Sequence, residues 1–174
     1  MTNAMLVELV HRKSASPVTR LSLLQHIRGL VHTVHTLRID NDSFFLSEAF
    51  QDICRAENIQ IQRTAPYADH QRGRQERQWR TITESAKAML LEAGLDKRFW
   101  GHAFLTAVHV RNRVWSSGSQ CIPMEAITGT RPSLDHLRVF GSPAFVNIDT
   151  SLRRKLSDSA WEGIFVGYAP DSPA

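Results

Sequence analysis

The sequence predicts an α/β layered fold followed by a small β module, and three observations carry that prediction. In the first two thirds, apolar residues at helical spacing alternate with short β-branched segments. After Trp115 the texture turns to SSGSQC and then to alternating segments punctuated by Gly and Pro. The 174 residues are 42% hydrophobic and 22% charged, the composition of a chain that packs a core. No run approaches the ~20 apolar residues of a bilayer span, and the N-terminus lacks the order of a secretory signal. A soluble, intracellular protein without a membrane partner is expected. Cys54 and Cys121 form neither a disulfide framework nor a CxxC pair.

Taken in order, residues 5–10 are an apolar run of strand length. Ser16 and Pro17 then suit an N-cap and first turn, and Leu21, Leu24, Ile27 and Leu30/Val31 recur at helical spacing. Residues 34–40 read as a strand closed by Asp40. Ser47 can cap a helix that ends at Asn58, and the alternation of residues 59–63 predicts a second strand, stopped at the Ala65-Pro66 step. A polar loop is expected over 67–73. The longest helix is expected over 74–92, with Trp79, Ile82, Ala86 and Met89/Leu90 as its buried stripe and Gly94 as its stop. Another is expected over 97–114, with Trp100, Phe104, Ala107/Val108 and Arg111 on one flank, Trp100 and Phe104 as core. A one-turn helix at 123–127 and strands at 137–140, 143–148 and 162–167 complete the reading.

The formal net charge is +4, and 17 of the 21 cations are Arg. Arg63, Arg72, Arg74, Arg77 and Arg80 fall within eighteen residues against Asp69 and Glu76 alone. Such an excess suits a phosphate-facing surface; a solvated charged face would give the same composition. The first 39 residues hold one acid, Glu8, and no Asp.

Asp40, at a strand end, and Glu76, at an expected helix start, are separated by 35 residues. Convergent carboxylates suit Mg²⁺ or Mn²⁺, and paired ions of that kind promote phosphodiester displacement. Each acid alone is equally a turn residue or a helix-dipole partner. His26, His32 and His35 lack the paired cysteines of a zinc finger.

Around these acids stand Leu37-Arg38-Ile39-Asp40-Asn41, Thr64-Ala65-Pro66-Tyr67, Gln71-Arg72-Gly73-Arg74-Gln75-Glu76-Arg77 and Arg80-Thr81. In order and spacing they resemble the integrase core of copia-type LTR retrotransposons, whose pattern runs LRSDNGGEF, TAPYTPQQNGVAER, NRT. The likeness continues through Phe99-Trp100-Gly101, Arg111-Asn112-Arg113, Thr128-Gly129 and Arg131-Pro132-Ser133-Leu134. It ends at His136-Leu137-Arg138-Val139-Phe140-Gly141 and Gly163-Ile164-Phe165-Val166-Gly167-Tyr168, which look like the family's SH3-like module. The resemblance covers about residues 34–170. It implies a ribonuclease-H-like fold, an Asp, Asp, Glu triad, divalent metal, and end processing and strand transfer of element DNA. Asp40 would be the second acid and Glu76 the third, both as catalytic metal ligands. Arg72, Arg74, Arg77 and Arg80 would lie along the DNA backbone, while Tyr67 and Gln71, in the active-site loop, would position a DNA end or serve as turn residues.

Several positions depart from the pattern. Asp42, Ser43 and Phe44 replace Gly, Gly and Glu; Ala68-Asp69 replaces Thr-Pro; Arg72 and Trp79 each replace Asn. Asp42 could substitute as a ligand or be an incidental solvated acid. The family's first triad Asp would stand upstream of the strand at 5–10. The expectation is therefore an integrase core truncated at its N-terminus over 1–115, a linker with a short helix over 116–138, and a partial SH3-like module over 139–174. Its function would be DNA integration, with the chain inactive by itself. The alternatives are a nucleic-acid-binding or oligomerising remnant, associating with itself or with full-length integrase, and a relic with no stable product. The nucleus is the expected compartment in a eukaryotic host.

Overall fold

Two short strands, β1 (Thr36–Ile39) and β2 (Gln60–Arg63), pair in parallel from Thr36↔Gln60 to Ile39↔Arg63. The computed structural model describes residues 4–9, 29, 34–39, 47–63, 69–153, 155 and 158–169; for 49, 69–72, 74 and 152 it describes backbone alone. A parallel pair needs a crossover, and α1 (Glu48–Ala56) supplies it. Phe50 and Cys54, one turn apart, bury themselves with Ile59 against Val34, Leu37 and Ile61. Burial there pushes the Cys54 thiol up from its ordinary pKa, which makes it a packing residue rather than a nucleophile. Ser47 takes the extended backbone of a helix entry, though without a side-chain cap bond. Asn58, at φ 53°, ends the helix as expected, and Ile59 N–H donates back to Cys54 at 2.8 Å.

The long helix α2 (Asp69–Glu92) begins five residues before the expected 74, so the loop expected over 67–73 is helical from Asp69 onward. A lone Gly such as Gly73 costs a helix only about 1 kcal/mol against Ala. That is too little to stop a 24-residue helix with an acid at its start, where the dipole favours negative charge. Glu76 consequently lies two turns inside the helix rather than in its first turn. Gly94, at φ 62°, is the stop that the sequence predicts: Leu95 N–H reaches the carbonyl of Leu90, five residues back. A 3-10 turn, Lys97–Phe99, follows, its entry capped by the Asp96 carboxylate accepting from Arg98 N–H at 2.8 Å. From it runs α3 (Trp100–Arg113), packed on α2.

Ile82 and Ala86 of α2 meet Ala103, Phe104, Ala107 and Val108 of α3, with Phe140 closing the cluster. The alanines let the helices approach closely. Two expected core residues are not core: Trp79 is 53% exposed and Trp100 60%. Helical spacing identifies a stripe but not where along the helix its covering neighbour ends.

Of the strand expected over residues 5–10, residues 5–9 are described, and they pair with no strand among the described residues. They dock on α3 instead. The buried Asn112 side chain accepts from Met5 N–H at 2.9 Å and donates to the Met5 carbonyl at 2.6 Å, doing with one amide what a neighbouring strand would do. Met5 and Val7 pack against the helical core, and Leu9 lies over Gly101. The helix expected over 17–31 lies outside the described residues, apart from the helical Gly29.

Beyond α3, Ser116 and Cys121 form a β-bridge, and α4 (Pro123–Thr128) lies where the sequence predicts a one-turn helix over 123–127, starting on Pro and stopping at Gly129 (φ 73°). Strands β3 (Pro143–Asn147) and β4 (Ala160–Ile164) pair antiparallel, Pro143↔Ile164 through Asn147↔Ala160. No strand forms over 137–140. There Leu137 N–H closes a turn onto Leu134, Arg138 N–H is taken by the Tyr168 hydroxyl at 2.9 Å, and Gly141 reverses the chain at φ 80°. Among the described residues the C-terminal part is this hairpin with its turns. No described helix is long and apolar enough to cross a membrane.

Candidate nucleic-acid interface

The candidate face is built on α2. Glu76, Trp79 and Arg80 stand at i, i+3 and i+4 and share one side of the helix; Arg77 is one residue round. Glu76, Arg77 and Arg80 are all exposed. The hydroxyls on this stretch turn back to the helix: Thr81 donates to the Arg77 carbonyl at 2.9 Å, Thr83 to that of Trp79 at 2.8 Å, and Ser85 to that of Thr81 at 2.9 Å. Solvent is thus left facing the charged and aromatic groups. Among the described residues neither Arg77 nor Arg80 enters an ion pair. Exposed Arg63, at the end of β2, adds a further guanidinium to the same stretch of chain.

Of the expected metal pair, Glu76 is placed and Asp40 lies outside the described residues. Tyr67 lies outside them too. Gln71, expected in a loop, belongs to the helix, as do Arg72 and Arg74. Arg77 and Arg80 are brought onto one exposed surface with Glu76. No group of three or more His, Cys, Asp or Glu side chains converges among the described residues. Of the three histidines weighed for zinc, His35 is exposed and gives its backbone carbonyl to Gln60 N–H at 2.9 Å, while His26 and His32 are outside the description.

A second polar cluster escaped the sequence reading. His109 Nε2 lies 3.1 Å from His136 Nε2, and the His109 ring stacks on Tyr168 with centroids 3.9 Å apart and planes 13° from parallel. Phe165 meets Tyr168 edge-on at 5.0 Å. Burial, then the charge of Arg113 and of His136, pushes His109 down to about pKa 4, a neutral imidazole at physiological pH. His136 and Tyr168 each stood inside a quoted motif, but nothing in their spacing pointed to His109.

No family model matches the chain. Over 136 residues, 78% of its length, it is 37% identical to the "Retrovirus-related Pol polyprotein from transposon TNT 1-94" of Nicotiana tabacum, covering 10% of that protein. Over 105 residues, 60% of its length, it is 32% identical to the "Retrovirus-related Pol polyprotein from transposon RE1" of Arabidopsis thaliana, covering 7%. The chain therefore spans a tenth or less of these relatives' length. Among solved structures, it resembles a chain of the simian T-cell lymphotropic virus intasome in complex with PP2A regulatory subunit B56 gamma. The TM-score is 0.55 at 16% identity, over 89% of this chain and 55% of that one, a likeness of fold.

Proposed function

The chain belongs to the retrovirus-related Pol polyproteins of copia-type transposons, matching a segment with an integrase-like α/β core, and on that premise we propose that it serves DNA integration. Its own part is to grip the DNA backbone. The observation that supports this reading is the exposed face of α2, where Arg77 and Arg80 stand beside Glu76 with no ion pair among the described residues. Guanidinium groups in that state fork onto phosphate oxygens and release condensed counterions, a sequence-independent contribution to affinity. Strand transfer exchanges one phosphodiester bond for another and calls for divalent metal held by several carboxylates. Asp40 and Glu76 are the two such groups that the sequence singles out. By itself the chain binds DNA and does not join it.

Two assays on the 174-residue chain test both halves of the proposal. A salt titration with a short duplex should show binding that weakens steeply with ionic strength, and absence of binding at low salt would sink the reading. Incubation with Mn²⁺ and duplexes mimicking element ends should give no joined product. Joining that Asp40→Asn abolishes would overturn the inactivity.

Association with a second integrase copy is a further reading, and one observation favours it. Phe145, Val146 and Trp161 of the β3–β4 hairpin are exposed, and Val146 and Trp161 are directly paired across it. Light scattering of the chain alone, and of Trp161→Ser, would show it as a loss of dimer in the variant.

A further inference from the structure

Trp79 occupies a position where the family pattern has Asn, and it is not the core residue that its place in the apolar stripe predicts. One side of its ring rests on Phe104, centroids 4.8 Å apart at 54°, while 53% of the residue stays open to solvent. Phe104 is itself fixed among Ala103, Ala107 and Val108 of its own helix and Ile82 of α2. The indole is thus propped from beneath and loses little freedom when something stacks on it. Trp100, Trp115 and Trp161 are exposed as well, yet among the described residues no aromatic ring supports any of them.

The surroundings select the ligand. Arg80 follows Trp79 directly and Arg77 precedes it by two residues, both exposed; Glu76, one turn back, subtracts a single charge and leaves the patch net positive. A flat apolar ring in a cationic setting suits a flat group carried on an anionic chain. Inside a duplex both faces of every base are covered by neighbours, so the partner is a base without a stack.

We propose that Trp79 is a stacking platform for an unpaired DNA base, with Arg77 and Arg80 holding the adjoining phosphates. The inference rests on the DNA-binding reading above and adds to it a preference for single-stranded ends. Stacking of one base on an aromatic side chain changes affinity by roughly tenfold.

The test compares a blunt duplex with the same duplex carrying a short single-stranded overhang, by fluorescence anisotropy with the intact 174-residue chain. Wild type should bind the overhang substrate more tightly. Trp79→Ala should remove about tenfold of that affinity and bring the overhang-to-blunt ratio close to one, while Trp79→Phe should restore most of the preference. An unchanged overhang-to-blunt ratio in Trp79→Ala, with binding otherwise intact, overturns this proposal alone; absence of any binding by wild type overturns the DNA-binding reading with it. An iodouracil placed in the overhang and irradiated on the wild-type chain should cross-link to Trp79. Mapping of the adduct to another residue counts against the platform without requiring any variant to fold.

Discussion

His109 and His136 meet nitrogen to nitrogen at 3.1 Å, so one imidazole must donate and the other accept. Two protonated rings have no acceptor to offer. Tyr168 stacks on His109, Arg113 stands one turn along the same helix with its guanidinium on the His109 carbonyl, and Arg138 holds the Tyr168 hydroxyl through its backbone N–H. The charges that act on His109 are those of Arg113 and His136, and both oppose its protonation. Because His109 titrates at about 4 when folded and near its ordinary 6.5 when unfolded, the unfolded chain takes up the proton first as pH falls. Its contribution to stability is present above about 6.5 and is lost toward 4. Urea midpoints measured across that window should fall, and His109→Phe, which keeps the stack on Tyr168, should flatten the decline. Equal slopes in variant and wild type would contradict the assignment.

Asn112→Ala deletes both bonds to Met5 and leaves that backbone unpaired against α3. The expected cost is about 1–3 kcal/mol. Asn112→Asp should cost more, since a carboxylate would face the Met5 carbonyl it can no longer donate to. Amide exchange should show where the damage falls, with protection lost at Met5 and Val7 before it is lost in α3.

Gly141→Ala should be among the most destabilising single changes in the C-terminal part. A Cβ there would stand 2.3 Å from the Ala93 Cβ, and the backbone sits at φ 80°, where an L side chain is strained. The strain costs about 1–2 kcal/mol and the overpacking about 1–3 more. Gly101→Ala makes a fair control: its 2.7 Å clash is with the end of the Leu9 side chain, which can move aside. Paired melts of the two variants decide whether backbone conformation or crowding dominates.

Charge reversal at Arg77 and Arg80 bears on the backbone grip directly. Each phosphate contact adds about 0.9 to the slope of log affinity against log salt. The double variant Arg77→Glu, Arg80→Glu should therefore be shallower by roughly 2 and weakest relative to wild type at low salt. Reversal at Arg55, whose guanidinium is already engaged with Asp52 at 2.5 Å, should leave the slope unchanged.

Local rules made much of this fold legible. Gly94 and Asn58 stop helices where they should because a left-handed residue ends a helix whatever surrounds it. The alternation of residues 59–63 and the βαβ order around α1 likewise followed from short-range pattern. What failed depended on partners far along the chain. Residues 137–140 have the look of a strand, but Arg138 N–H is bound by Tyr168, thirty residues on. Residues 5–10 have the look of another, but Asn112 takes the hydrogen bonds of Met5. Trp79 and Trp100 keep the period of a buried stripe beyond the point where anything covers them. At the candidate site the arginine face was legible from charge density, whereas the depth of Glu76 within α2 turned on a helix start that Gly73 disguised.

The clamp between Met5 and Asn112 spans 107 positions of chain. At about 5–20 residues per second, a ribosome adds Asn112 roughly 5–20 seconds after Met5 has been made. Throughout that interval the apolar residues Leu6, Val7 and Leu9 have no docking surface. The helical hairpin that receives them is built from neighbours and closes quickly once made, so docking of this segment is set by the order of synthesis rather than by the speed of folding. Translation slowed anywhere between the two residues lengthens the period in which chaperones or proteases can capture the emerging chain.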